Sequence, residues 1–195
     1  SSIKQLGRFH PRISMRLYRN LAAILSRRLA EISIEKSNAY DELTGALTKP
    51  YLCEILQQEI KRSHFFDEKV SLMLLNIEVE PIDEELSGEL QDSVILAITR
   101  VIKGYMRESD IFARWDRCAF MMVLPHSDTA YAIKTAQDIQ AEIESADICT
   151  RAHLYINATV SEMNQGEKRE DVLGRMEEQL DKNKKTRKSL RITVA

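Results

Sequence analysis

Cysteine is scarce in this chain: Cys53, Cys118 and Cys149 are the only three among 195 residues. An odd, widely separated set argues against a disulfide framework and lacks the spacing of zinc ligands. Free thiols in a reducing compartment are expected, and with them a cytoplasmic location. Long apolar runs are missing too, and none approaches the ~20 residues that would span a bilayer. Residues 1–36 are arginine-rich and carry no cleavage-like site, so a signal peptide is not expected. Excess charge of either sign is also lacking. The formal net charge is −2, which says little about partners. No internal repeat, low-complexity tract or serine–histidine–aspartate arrangement can be inferred.

What is present is enough apolar material for a core, 44% of the residues. The length suits one ordinary domain with an appendage. The appendage is residues 1–40, an amphipathic helical linker. After Pro11, which suits a helix's first turn, residues Ile13, Leu17, Leu21, Ile24, Leu25, Leu29 and Ile32 recur at three- and four-residue spacing. A stripe of this kind needs a partner, and a homodimer through this helix is expected. Residues 1–36 also hold eight basic side chains against two acidic ones, a local charge of +6. Nucleic acid or anionic lipid would be drawn to such an arm. A solvated helix face explains it more simply, and no aromatic interleaving supports nucleic acid.

The globular unit is expected over 41–195. Helices are predicted for Lys49–Arg62, with Leu52, Ile55, Leu56 and Ile60 inward, and for Leu90–Met106, Ala130–Ile143 and Asp171–Lys184. Strands are predicted for Val70–Ile77, Ala152–Val160 and Leu190–Val194. The unbroken apolar character of Val70–Ile77 marks a central strand buried on both faces. Ile111–Ala113 and Ala119–Leu124 flank the polar cluster Trp115-Asp116-Arg117-Cys118, which predicts a hairpin turning at Asp116-Arg117. Its tip has no glycine, so a strained or lengthened turn is expected. The central order strand–helix–strand–strand–helix–strand makes the fold class α+β and ferredoxin-like.

The hairpin carries a resemblance. Arg114, Trp115 and Phe120, followed by Pro125, resemble the Arg-Tyr-Gly-Gly-Asp-Glu-Phe signature of GGDEF diguanylate cyclases, which make cyclic di-GMP from two GTP. Asp41-Glu42-Leu43-Thr44-Gly45 is similar to that family's Asp-x-Leu-Thr-Gly motif, and Ala158-Thr159-Val160-Ser161 looks like its late strand. The resemblance covers roughly 41–193. The 20-residue run from His10 also resembles the closing helix of bacterial cyclic-nucleotide-binding domains, which suggests a sensory domain upstream.

The resemblance implies where catalytic groups would stand, and their replacements alter the chemistry. Joining two GTP needs divalent metal on hard carboxylate oxygens. The implied metal aspartate of the first central strand is Asn76. In the signature, Asp116, Arg117, Cys118 and Ala119 stand for Gly-Gly-Asp-Glu. An amide is a weak magnesium ligand, a thiol a poor one, and a methyl group none. Asp116 and Arg117 put side chains where glycines let nucleotide approach. Glu84 stands where an asparagine would read guanine. No enzymatic activity, metal or required cofactor is therefore expected. The acidic run Asp83, Glu84, Glu85 and Glu89 reads as a solvated loop or helix start rather than a metal site, and Cys118 as a small residue filling a vacated site rather than a reactive thiol. His126, before Ser127-Asp128, suits capping or exposure. Lys184, in the cluster Lys182, Lys184, Lys185, Arg187 and Lys188, matches a phosphate-contacting position of the family or a solvated helix equally well.

One ligand-reading element survives. Arg107-Glu108-Ser109-Asp110 matches the family's Arg-x-x-Asp inhibitory site, which implies cyclic di-GMP binding. Arginine can donate to guanine O6 and N7, and aspartate can accept from the guanine N–H edge. A surface ion pair between the two residues is the alternative. The family's second arginine aligns with Asp138, so Arg100, Lys103 or a partner chain would have to compensate. The reading is a catalytically inactive cyclic di-GMP receptor that regulates a partner signalling protein. A ligand-independent interaction module, or GTP binding without turnover, are its alternatives.

Overall fold

The computed structural model describes residues 39–81, 88–146, 148, 152–184 and 191–194. The chain divides into two compact units, 1–39 and 40–195. The predicted N-terminal helix, Asp83, Glu84 and Glu85, Cys149, and Lys185, Arg187 and Lys188 lie outside the described residues.

In chain order the second unit contains β1 (Leu47–Thr48), α1 (Lys49–Phe66), β2 (Val70–Pro81), α2 (Gly88–Gly104) and β3 (Ile111–Asp116). These are followed by β4 (Ala119–Pro125), α3 (Thr129–Ser145), β5 (Ala152–Glu162), α4 (Arg169–Lys184) and β6 (Arg191–Val194). The six strands form one sheet in the order β1-β3-β4-β2-β5-β6. The β2–β4, β2–β5 and β3–β4 pairs are antiparallel, while β1–β3 and β5–β6 are parallel. Its middle four strands, β3-β4-β2-β5, realise the ferredoxin-like pattern expected from the sequence.

β2 is apolar at all but Ser71 in its first half because helices cover both faces of the sheet. Val70, Leu72 and Leu74 pack with Leu52, Leu56 and Ile60 of α1 and Val172, Met176 and Leu180 of α4. The alternate residues Met73, Leu75 and Ile77 pack with Ile95, Ile98 and Ile102 of α2 and Ala136, Ile139 and Ile143 of α3. Beyond Ile77 the strand continues to Pro81 against β5, pairing Glu78 with Tyr155 and Pro81 with Ala152. The predicted strand ended where its hydrophobic run ended. Backbone pairing carries the real one further.

Two boundaries have local causes. α1 runs one turn beyond the predicted Arg62 and stops at Asp67, whose φ of 55° turns the chain left-handed. α3 begins after Asp128, whose side chain accepts the Tyr131 amide at 3.0 Å. His126 has a φ of 54°, is exposed, and lies 3.5 Å from Glu68. Among the described residues no helix is long and apolar enough to cross a membrane.

Candidate functional site

The hairpin turns one residue later than predicted. Asp116 pairs with Ala119, so Arg117 and Cys118 form the tip. The Asp116 carboxylate accepts the Arg117 amide at 2.7 Å, which lets an aspartate close the ladder rather than open the turn. Neither tip residue has a positive φ. The irregularity lies instead at Trp115: Arg114 pairs with Phe120 and Asp116 with Ala119, leaving Trp115 as an extra residue in a β-bulge. The missing glycine is thus accommodated inside the strand rather than at its tip.

Sheet register brings together Asn76, Cys118 and Ala119, the three positions where the resemblance implies metal ligands. Asn76 pairs with Ala119, and the Ile77 amide donates to the Cys118 carbonyl at 2.7 Å. Asn76 is buried and its amide donates to Glu78 at 3.3 Å. The donors that Asn76, Cys118 and Ala119 present are an amide and a thiol, with a methyl group at the third position. That set does not fit the hard divalent cation of phosphoryl transfer. Gln91 of α2 clips the hairpin tip from above. It donates to the Cys118 sulfur at 3.1 Å and accepts from Arg117 at 2.9 Å. Phe120 is fully buried and stacks on Phe112 with ring centres 5.1 Å apart.

Behind the hairpin, Arg114 joins it to the N-terminal turn of the unit. It donates to Asp41 at 2.9 Å and to the Arg117 carbonyl at 2.8 Å. Asp41 also accepts both the amide and the hydroxyl of Thr44. Burial pushes the Asp41 carboxyl up, yet the Thr44 and Arg114 hydrogen bonds and the Arg114 charge outweigh it and hold the group below its ordinary value. On the α1–α4 side, Trp115 donates to Glu177 at 3.1 Å, and Lys49 lies 3.9 Å over the indole while bridging the same carboxylate. Asp116, Glu177 and Asp181 border the cavity there, of about 450 Å³. Nothing in the sequence marked Gln91, Lys49 or Glu177, which meet the hairpin only through the fold.

The Arg107–Asp110 turn joins α2 to β3, and it places its two named side chains differently from a simple pair. Asp110 is buried and accepts the Arg107 backbone amide at 2.8 Å. Arg107 is exposed and its guanidinium lies over the Tyr131 ring, 3.8 Å from its centre. Asp138 is exposed two turns along α3 from Tyr131. Burial first, then the charges of Glu142 and Asp138, push the Tyr105 phenol up, so this helix face is negative. Arg100 is exposed on α2. Lys103 is committed to the other side of the turn, donating to the Thr44 carbonyl at 3.0 Å.

Comparison with known proteins identifies the family and the fold. The family model described as "Diguanylate cyclase, GGDEF domain" matches residues 38–189. The diguanylate cyclase DgcM of Escherichia coli is 20% identical over 158 residues, 80% of this chain and 38% of its own length. The chain thus spans well under half of that relative. Among solved structures, the coiled coil and GGDEF domain of DgcB from Caulobacter crescentus, in complex with cyclic di-GMP, superposes with a TM-score of 0.76. It is 19% identical, with 94% of this chain and 99% of that one covered. The diguanylate cyclase SiaD of Pseudomonas aeruginosa, in complex with its activator SiaC, gives a TM-score of 0.69 at 19% identity, covering 99% of this chain and 76% of that one. With the family signature on the β3–β4 hairpin and the family model spanning most of its length, the chain belongs to the GGDEF domain family.

Proposed function

We propose that this GGDEF domain is a receptor without catalytic turnover, which binds cyclic di-GMP at the Arg107 face and acts on a partner protein. The observation that carries the receptor reading is the Arg107 guanidinium held over Tyr131, 3.8 Å from the ring centre. The ring contact restrains the guanidinium before a ligand arrives, and among the described residues no hydrogen bond occupies the N–H groups that would meet guanine O6 and N7. Asp110, fixed by the Arg107 amide, stands at the base of the same turn. The negative charge of Asp138, where the family places a second arginine, weakens phosphate binding. The site therefore holds its ligand less tightly than a two-arginine site would.

The inactive reading is supported by the donor set at Asn76, Cys118 and Ala119 and by the Gln91 clip across the tip. With no carboxylate at those three positions, and the neighbouring Glu78 and Asp116 carboxylates accepting from the Asn76 amide and the Arg117 backbone, two triphosphates lack the shared cation that would align them. Solved relatives bear on the partner: DgcB was determined with cyclic di-GMP and SiaD with a protein activator. The domain's output here is a change of contact with another protein, driven by different ligand affinity for two arrangements.

Calorimetric titration with cyclic di-GMP tests the receptor reading. Wild type is expected to bind, and Arg107→Ala to lose about tenfold or more in affinity, the worth of one bidentate guanine contact. Asp138→Arg is expected to tighten binding. Absence of heat and of any thermal shift at saturating ligand would leave a ligand-independent interaction module in its place. Incubation with GTP and magnesium or manganese, followed by chromatography, tests the inactive reading. Cyclic di-GMP in the product would overturn it.

A further inference from the structure

The two faces of β5 differ in chemistry. Ile156, Ala158 and Val160 lie in the α2–α3 core. The alternate residues Asn157, Thr159 and Ser161 are polar, and all three are buried. They stand opposite Asn76, Leu74 and Leu72 of β2, and Leu72 and Leu74 belong to the α1–α4 core. The polar stripe therefore faces α4, the helix packed against β5 on that side. Two of its atoms, Asn157 Oδ1 and Thr159 Oγ1, have no hydrogen-bond partner among the described residues. Buried atoms left so are costly, and access of water recovers that cost. α4 is also weakly built in itself. Of its 16 residues it buries Val172, Leu173, Met176 and Leu180. Gly174 stands exposed in its interior, without a positive φ, and a Cβ there would meet nothing within 4 Å. No turn or close approach requires glycine at this position, so its cost to the helix is uncompensated. At the hairpin, α4 is tied by Glu177, which accepts from the Trp115 indole and the Lys49 ammonium, both at 3.1 Å. That carboxylate is half exposed, and water screens its ion pair.

A polar floor with unpaired atoms, a glycine that no packing demands and a screened tether together describe a helix that leaves its seat readily. We propose that α4 is a lid over the α1 side of the hairpin, opening by local unfolding while the strands beneath it stay paired. Opening hydrates Asn157 and Thr159 and frees Trp115 and Lys49 from Glu177. It also uncovers the cavity of about 450 Å³ that Glu177, Leu180 and Asp181 wall on one side. Access to that cavity is thus set by α4. The open form is a minor state under native conditions, so bulk melting stays cooperative. The lid does not rest on cyclic di-GMP binding, because Arg107 lies over Tyr131, which packs on the α2–α3 core across the sheet.

Native-state hydrogen exchange tests the lid. The amides of Met176, Glu177 and Leu180 are expected to exchange through one shared opening, at least about tenfold faster than those of Leu74 in β2 and Val123 in β4. Their dependence on denaturant should be shallower, because a local opening exposes less surface than global unfolding. Gly174→Ala should slow the three α4 amides by about fivefold, the worth of that change in a helix interior. Thr159→Val keeps the side chain's shape and removes the unpaired hydroxyl, and should slow them by roughly tenfold. Because Gly174 is exposed with open space around it, its variant keeps the test open if Thr159→Val packs poorly. Amides of α4 as slow as those of β2 and β4, with the same denaturant slope, would overturn the proposal. Exchange left unchanged by Gly174→Ala would overturn it as well.

Discussion

Asp41 shows how one side chain can hold a turn and a hairpin together. Its carboxylate gathers the Thr44 amide and hydroxyl and the Arg114 guanidinium. Arg114 in turn reaches the hairpin tip through the Arg117 carbonyl. Gly45, at φ 61°, lets the same turn close so that its amide reaches the Asp41 carbonyl at 2.8 Å. Hydrogen bonds to a charged, partly buried group are worth about 1.5–3 kcal/mol. Asp41→Asn is thus expected to lower stability by about 2 kcal/mol near neutral pH, read by chemical denaturation. Because the folded state depresses this carboxyl, its stabilisation is complete above the unfolded value of about 3.9 and is lost as pH falls through the lower folded value. The gap between wild type and Asp41→Asn should therefore narrow in acid. A gap as wide at pH 2 as at pH 7 would refute this role for the charge, the pH values bracketing an unfolded pKa of about 3.9.

At the scale of elements, much was legible because periodicity reports burial. Val70–Ile77 reads as a two-faced central strand and is one, and the helix stripes identify the residues that pack on the sheet. Where pairing rather than hydrophobicity extends an element, as in β2 beyond Ile77, the sequence pattern falls silent. The hairpin tip shifted by one residue because an aspartate that normally opens a turn instead caps the next amide from a ladder position. The Arg-x-x-Asp spacing falls on the α2–β3 turn, yet it could not say that Arg107 faces Tyr131, since rotamer and tertiary neighbour decide that. Gln91 and Lys49 carry no local signature at all. One boundary gives an element-scale prediction. Asp67 ends α1 in the left-handed region, which costs a non-glycine residue about 1 kcal/mol. Its exposed side chain gives back only a 3.3 Å bond from Gln165. Asp67→Gly is accordingly expected to gain about 0.5 kcal/mol and raise Tm by roughly 1–2 °C, measured by differential scanning calorimetry. A fall in Tm would mean that the Gln165 contact matters more than the backbone strain.

Over the whole molecule, two cores share one sheet, and that sharing decides how the domain melts. The α1–α4 layer and the α2–α3 layer never touch through side chains of the same strand position. β2 and β4 send alternate residues to each. If the layers were independent, damage to one would leave the other folded. Every strand residue lost from one face, however, loosens the backbone that presents the other. The only tryptophan, Trp115, lies in the α1–α4 layer and reports on it alone. Phe120 is fully buried in the opposite layer. Phe120→Ala removes a large side chain from a packed interior and should cost about 3–5 kcal/mol. Under cooperative unfolding, Trp115 fluorescence and far-ultraviolet circular dichroism in that variant move to the same lower denaturant midpoint. A fluorescence midpoint that stays at the wild-type value while the dichroism transition shifts would show that the layers melt separately. The sheet would then be a joint between two small cores, and a signal received at the Arg107 turn on the α2–α3 side would have no packed route to the α1–α4 side.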